Sequence, residues 1–405
     1  MGTSGIGKVS SETSHGGSRE PEAAQVGSES LRSTNTITNP EPLVSICISA
    51  YNVERFLRET LDSILNQTYR NTEIILVDNG SVDRTFDVAK SFEDDRFRCF
   101  RIPNNIGGYQ AMNMVAGMAQ GDFVAIYHSD DVYEPNIVEK EVAYLRAQPE
   151  AGAVFTMYHF MDEAGRIYGG YDLPAPLAGR ERLTQEEIFP YMLRHGNIMF
   201  ACPTFMVRRD VLADIGPFDA ERWDIVADQE MWLRLVRRYP IGILNERLLR
   251  YRHTTQQWSQ RWKHLRTEPD RGLDVMELYL EKDNWRARLT PAELVELSYQ
   301  RCDDKTTRAA NAVILGETAM ARQLLEGRYP YTTLLKNFHR RKLRVLLLRG
   351  LMKTALTIGA AGPLRGLLRA TEYGEWRRRH PHDHDVGNET GSSWDDLPSG
   401  SDTRA

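Results

Sequence analysis

From Leu43 onward, short β-branched runs alternate with stretches whose apolar residues recur at helical spacing, which confines this part of the chain to an α/β architecture. Val44, Ile46, Ile48 and Ala50 alternate as a strand. Phe56, Leu57, Thr60, Leu61, Ile64 and Leu65 then follow at helical intervals, with Asn52 read as the N-cap. A second strand is predicted at Ile74–Val77, a helix at Thr85–Phe92, and a third strand at Phe97–Ile102. After the turn Pro103–Gly108 comes a helix reaching Ala119, then a fourth strand at Phe123–Tyr127. Strands and helices in this rhythm imply a mainly parallel, twisted sheet flanked by helices, with right-handed crossovers.

Open sheets of this kind bind ligands beyond the carboxyl ends of their strands. Two acidic groups fall there: Asp78, after Glu73-Ile74-Ile75-Leu76-Val77, and His128-Ser129-Asp130-Asp131, after the fourth strand. A third group, Ala227-Asp228-Gln229-Glu230, opens a helix predicted to run to Arg238 with Met231, Trp232 and Leu235 inward. Acids clustered at such an edge suit a divalent cation and a phosphate-bearing ligand. Asp228 is then left for proton removal, with Glu230 as second choice. Plainer readings exist for each. Asp78 before Asn79-Gly80-Ser81 can organise a turn, and Asp228 can be a helix N-terminal acid favoured by the dipole.

The remainder is less regular. Strands are expected at Ala153–Phe160, Thr204–Val207 and Ile241–Leu249, and a helix at Gln185–Arg194. Residues 270–375 read as helical, with Ala309–Leu325 broken by Gly316 and Gly327, and then a Leu-rich, strongly basic stretch Arg340–Arg369. That stretch suits either a membrane-surface helix drawn to anionic lipid or a helical subdomain with a solvated basic face. Boundaries follow from composition: a disordered polar arm at 1–41, a catalytic-type domain at 42–265, a helical region at 266–375, and a disordered tail at 376–405. Gly2–Val9 nearly spells a phosphate-binding loop, but Val9 stands where the metal-binding hydroxyl belongs. His380, His382 and His384 read as inert tail residues.

A net charge of -5 argues against nucleic acid as a partner. Four scattered cysteines form no paired motif, and Cys47, inside a strand, reads as a buried thiol in a reducing cytoplasm. Neither a secretory leader nor an apolar run of membrane-spanning length is apparent, so the expected location is cytoplasmic or peripheral at the inner membrane face. Oligomeric state is left open.

Five motifs in order carry a resemblance: Ser45-Ile46-Cys47-Ile48-Ser49-Ala50-Tyr51-Asn52, the Glu73–Thr85 segment, the Asn/Gly turn with its helix, His128–Asp131, and Gly216-Pro217-Phe218-Asp219 followed by Ala227–Leu235. Over roughly Leu43–Trp262 the chain resembles family 2 nucleotide-sugar glycosyltransferases of the GT-A fold. The resemblance implies an inverting transfer of a sugar from a nucleoside-diphosphate donor to a hydroxyl of a glycan or polyprenyl-linked saccharide in surface polysaccharide assembly. It assigns Asp228 as base, and Asp130 with His128 as ligands of Mn²⁺ or Mg²⁺. Donor contacts fall at Ala50, Tyr51, Asn52, Glu54, Asp78, Asn79, Gly108, Asn113 and Ser129, while Asp131 acts from behind or caps the next helix.

Four positions depart from the family pattern: His128 and Asn79 replace acids, Ala227 replaces Glu, and Met112 replaces Arg. Arg252 or His253 is read as closing over the phosphates. Trp258 and Trp262 are read as lining the acceptor site, within a Gln257–Trp262 stretch one residue too long for the processive signature. Two rivals stand beside this reading. One is a nucleotidyltransferase, disfavoured by the lack of a basic Gly-rich loop after the first strand; the other is a catalytically silent nucleotide- or glycan-binding module.

Overall fold

The computed structural model describes residues 41–196, 200–254, 265–332 and 340–379. The readings made for residues 1–40, for Gln257–Trp262 and for His380, His382 and His384 lie outside the described residues. The described strands form one sheet: β1 (Val44–Ala50), β2 (Thr72–Asn79), β3 (Phe97–Ile102), β4 (Phe123–His128), β5 (Val132–Tyr133), β6 (Ala153–Met161), β7 (Ile167–Tyr171), β8 (Arg182–Leu183), β9 (Phe205–Arg208) and β10 (Ile241–Arg252). Their order is β3-β2-β1-β4-β9-β6-β10-β5, with β7 on β6 and β8 on β10. The first four are mutually parallel, β9 runs against β4 and β6, and β10 returns parallel to β6. The expected mainly parallel sheet flanked by helices is what the chain forms.

The helices of this region are α1 (Leu57–Leu65), α2 (Thr85–Lys90), α3 (Gly108–Ala116), α4 (Ile137–Ala147), α5 (Gln185–His195), α6 (Arg209–Ile215), α7 (Ala220–Trp223) and α8 (Ala227–Val236). Strand residues alternate between two cores, as the period of two requires. Ile46, Ile48, Ile74, Leu76, Ala125 and Tyr127 pack with Leu57, Leu61 and Ile64 of α1 and Val138, Val142 and Leu145 of α4. Cys47, Ile75, Val77, Val124 and Ile126 turn the other way, onto Val115 of α3, Phe189 of α5 and Trp232 of α8. Trp232 wedges between Phe155 and Phe205, with ring centroids 4.8 and 4.5 Å away. Its packing fixes α8, and hence the carboxylate at that helix's start, against the middle of the sheet.

The second core continues past the sheet. Met276 and Tyr279 on helix Arg271–Lys282, Trp285, and Leu297 on helix Pro291–Leu315 all belong to it. The longer of these helices begins well before the expected Ala309. Thr290 and Glu293 form a reciprocal capping box with Pro291 at the first position. It ends at Gly316, whose φ of 92° is left-handed and open to glycine. Helices Arg340–Thr357 and Ala361–Arg379 bracket Gly359, also at positive φ, so the basic stretch expected from 340 to 369 is two helices rather than one.

Asn52 departs from its expected role. It sits at φ 51° and caps nothing; α1 starts at Leu57 after Phe56. Its backbone N–H donates to Ser81 Oγ (2.9 Å), and its Oδ1 accepts from Val82 N–H (2.9 Å). A side chain able to bond locally in the left-handed region is what this position requires.

Candidate active site

Register places the site. In the parallel ladder Ala50 pairs with Asp78, and Ser49 with His128, so two of the acidic groups leave the sheet side by side at the end of β1. The loop after β1 is stitched to the loop after β2. Besides the Asn52 bonds, Val53 N–H donates to Thr85 Oγ1 (2.8 Å), Glu54 N–H to Asp83 Oδ2 (3.1 Å), and Arg84 N–H to Glu54 Oε2 (2.8 Å). Tyr51 remains exposed at the mouth, while Ala50 is buried beneath it.

Asp78 is fully buried, and its two oxygens differ. Oδ1 accepts from Ser81 N–H at 3.2 Å, the turn-organising role. Oδ2 lies 3.3 Å from Arg101 Nε and has no hydrogen-bond partner among the described residues, which leaves it able to accept one. Arg101, at the end of β3, also donates to Ser81 O at 2.6 Å. Nothing in the sequence around Phe100-Arg101-Ile102 signals that pairing, because it depends on the β2–β3 register. Asn79 is wholly engaged: its amide donates to Asn105 Oδ1 (3.0 Å) and Gly107 O (3.2 Å) and accepts from Ile106 N–H (2.9 Å). It thereby anchors the turn leading to Gly108 at the start of α3. Gly80 between them has φ 73°, and a Cβ there would lie 2.5 Å from the Asn104 carbonyl carbon. Only glycine lets that turn lie so close. Asn113 is likewise occupied, bridging 105 residues to Phe218 by donating to its carbonyl (2.7 Å) and accepting from its N–H (2.9 Å).

His128, Asp130 and Asp131 offer ligand atoms within 4.8 Å of one another. The group is held from below. Thr60 Oγ1 donates to Ser129 O (3.2 Å) and Asp131 O (2.7 Å), and His128 N–H donates to Tyr133 Oη (2.7 Å), whose ring stacks on Tyr127 at 3.9 Å. Asp131 is buried and caps no helix, since α4 starts at Ile137. Its Oδ1 accepts from Arg252 N–H at 2.7 Å, while Oδ2, 3.9 Å from His128 Nδ1, is buried without a hydrogen-bond partner among the described residues.

Desolvation and the neighbouring Asp130 charge push the Asp131 carboxyl well above the usual range, against the Arg252 N–H and charge. Burial also pushes His128 down to about 4, so its imidazole is neutral near pH 7 and keeps a lone pair. An orphaned carboxylate oxygen, a second carboxylate and a neutral imidazole fit a divalent cation, which would relieve the crowding of negative charge. Asp131 joins the expected pair, Asp130 and His128, in this donor set.

Arg252 does not close over phosphates. It is buried, its guanidinium donates to Asp130 O (2.8 Å) and Glu59 Oε2 (2.6 Å), and it lies 4.8 Å above the Phe56 ring. The residue braces the acidic loop from behind. His253 instead meets Tyr168 and stacks on Phe160, 5.1 Å between centroids.

Asp228 stands in the first turn of α8, largely enclosed. Its Oδ1 accepts from Gln229 N–H at 2.6 Å, and the Tyr109 hydroxyl also donates to its carboxylate. Desolvation raises it to about 6, against these hydrogen bonds. Tyr109 packs on Phe218 at 4.9 Å, and burial together with the Asp228 charge pushes its hydroxyl up, so it remains a donor. Burial, and behind it the Asp228 charge, pushes the Cys202 thiol up; burial, and behind it the Asp131 and Asp130 charges, pushes the Tyr251 hydroxyl up. Glu230, the second choice for base, is engaged on the other side of the helix start: it accepts from Tyr279 Oη (2.7 Å) and pairs with Arg234 (2.9 Å). Tyr109 was not legible in sequence, since a lone tyrosine in the first turn of a helix carries no signal of its distant partner.

Residues 45–216 match the sequence profile described as Glycosyl transferase family 2. TuaG of Bacillus subtilis (strain 168), named for teichuronic acid biosynthesis as a glycosyltransferase, is 28% identical over 254 residues, covering 62% of this chain and 94% of that one. EpsE of the same organism, also named a glycosyltransferase, is 31% identical over 200 residues, covering 48% and 67%. The crystal structure of S. aureus TarS 1-349 in complex with UDP-GlcNAc superposes with a TM-score of 0.52 at 17% identity, covering 82% of this chain and 92% of that one, a likeness of fold. On these matches and this sheet, the chain belongs to glycosyl transferase family 2 and is a glycosyltransferase of the GT-A fold.

Proposed function

We propose that the protein transfers a sugar with inversion from a nucleoside-diphosphate donor to a hydroxyl of a glycan or lipid-linked saccharide, with a divalent cation, in surface polysaccharide assembly. The observation that carries this reading is Asp228, in the first turn of the helix that Trp232 packs onto the sheet: a shielded carboxylate raised to about 6 and hydrogen-bonded by Tyr109. Asp228 takes the proton of the acceptor hydroxyl as its oxygen bonds to the anomeric carbon and the bond to the diphosphate breaks on the opposite face. Asp130, Asp131 and His128 would hold Mn²⁺ or Mg²⁺, which when bound neutralises charge on the departing diphosphate. The free oxygen of Asp78, beside Arg101, accepts a hydrogen bond from the nucleobase, with Tyr51 and Asn52 at its edge. Backbone N–H groups at Gly108 and beyond, opening α3, suit the diphosphate. TuaG's name and the UDP-GlcNAc bound to TarS support a polysaccharide acceptor and a nucleotide-sugar donor.

A panel of nucleoside diphosphates and their sugars, with Mn²⁺, tests the reading. One of them should raise the melting temperature, since a ligand of the native state alone stabilises it. The matching donor should release nucleoside diphosphate with acceptor, and NMR of the product should show inverted anomeric configuration. Binding without release would leave a silent module, and retention would sink the direct displacement.

Tyr109→Phe tests the base through its partner. Losing a hydrogen bond that favours the charged carboxylate raises its pKa, so the acid limb of the kcat profile should move up by roughly 0.5–1 pH unit. An unmoved limb would mean that Asp228 does not govern it.

A further inference from the structure

We infer that helix Arg340–Thr357 docks the enzyme on an anionic lipid bilayer. The helix is apolar on two opposite faces. Val345, Met352 and Leu356 are buried against helix Pro291–Leu315 and its neighbours, while Leu343, Leu347 and Leu351 stand one turn apart on the far side, 38, 62 and 47% exposed. Ile358, at the end of the same row, is 73% exposed. Residues four apart, or seven apart at two turns, share a face, so Leu343, Leu347 and Leu351 with Ile358 just past the helix end form one outward stripe unexplained by the fold's own core.

Charge selects what covers it. Between residues 340 and 371 the sequence holds eight Lys and Arg and no Asp or Glu. Several of the cations serve the fold. Arg349 is buried, donating to the Leu325 and Glu326 carbonyls at 2.7 Å, Lys342 reaches Glu296 at 2.5 Å, and Arg365 donates to Ile314 O at 2.7 Å. Arg340 and Arg344 are exposed on the stripe's own side, with no hydrogen bond or ion pair among the described residues. A second copy packed across a two-fold axis would set these arginines against themselves with no acid to offset them. A surface of phosphate headgroups over acyl chains complements both features: leucines enter the interface while arginines meet phosphates. Among the described residues no helix is long and apolar enough to cross a membrane, so the contact is a surface one. This inference stands apart from the assignments of donor and base.

Co-sedimentation of the full chain with vesicles tests it. Binding should be strong on phosphatidylcholine containing about one-third phosphatidylglycerol, weak on phosphatidylcholine alone, and reduced by salt. Replacing Arg340 and Arg344 by Ser should weaken binding roughly 30-fold, taking each exposed cation as about a fivefold factor. Leu347→Asp with Leu351→Asp should weaken it at least ~10-fold, with circular dichroism and donor-induced melting shifts unchanged. Equal binding to both vesicle types, or none by the full chain, overturns the inference. So does a leucine variant that loses a dimer in light scattering yet keeps vesicle binding.

Discussion

Asp228→Asn is expected to lower kcat by about a thousandfold while leaving donor affinity within about twofold, as for loss of a general base that does not touch the nucleotide. In the native enzyme, activity should fall as pH drops through about 6, where the shielded carboxyl takes up a proton. The same shift has a stability consequence of defined sign. A carboxyl whose folded pKa is raised binds its proton more tightly in the native state than in the unfolded chain. Its contribution is therefore most favourable below the ordinary carboxylate value and is lost as pH rises toward 6. Asparagine mimics the protonated form without the cost of burying charge. The variant should thus be more stable than the native enzyme above about pH 7, by about 1–2 kcal/mol since some water still reaches the site, and indistinguishable from it near pH 4. Calorimetry at the two pH values measures this directly. Equal stability at both would mean that the carboxylate is not desolvated, and near-native turnover would remove it from the mechanism.

The second large effect is expected at the acidic loop. Chelation with EDTA should abolish transfer and Mn²⁺ should restore it, and Asp130→Asn should cost at least ~100-fold in kcat/KM at fixed Mn²⁺. Asp131→Asn separates holding a cation from holding the loop. The amide oxygen still accepts from Arg252 N–H, and replacing a carboxylate raised by burial relieves its cost in the metal-free protein. Its metal-free melting temperature should therefore be unchanged or higher, while the rise caused by Mn²⁺ should shrink. Asp131→Ala removes the acceptor as well and should lower the metal-free value. Full activity of Asp130→Asn in EDTA would end the cation reading.

The parts of this architecture that depend on local pattern were visible in the chain itself. Alternation at Val44–Ala50 and the run at Phe97–Ile102 match strands to the residue, the first because a buried strand needs side chains that fit both faces, the second as a half-exposed edge strand whose polar residues face solvent. Helix α8 begins one residue before Asp228, as the placement of acids ahead of Met231, Trp232 and Leu235 implied. What stayed hidden depends on partners far away in sequence. Tyr251-Arg252-His253 looks like any basic strand end, and only the fold brings Arg252 against Asp131, 121 residues earlier. Glu230 looked available for proton transfer until Tyr279, on a helix after the sheet, took its oxygen. The start of helix Pro291–Leu315 does carry a local signal, the Thr290-Pro291-Ala292-Glu293 capping box, but the charged helix it opens shows little apolar periodicity to support it.

The convergence of nucleotide, cation and base in one cleft is tested most directly by diffraction from crystals grown with Mn²⁺ and the nucleoside diphosphate chosen by the panel. Anomalous scattering should give a Mn²⁺ peak among His128, Asp130 and Asp131, with diphosphate oxygens completing its coordination and the base edge on Asp78. A diphosphate bound elsewhere, or a cleft in which Asp228 faces away from the bound diphosphate, would contradict the account.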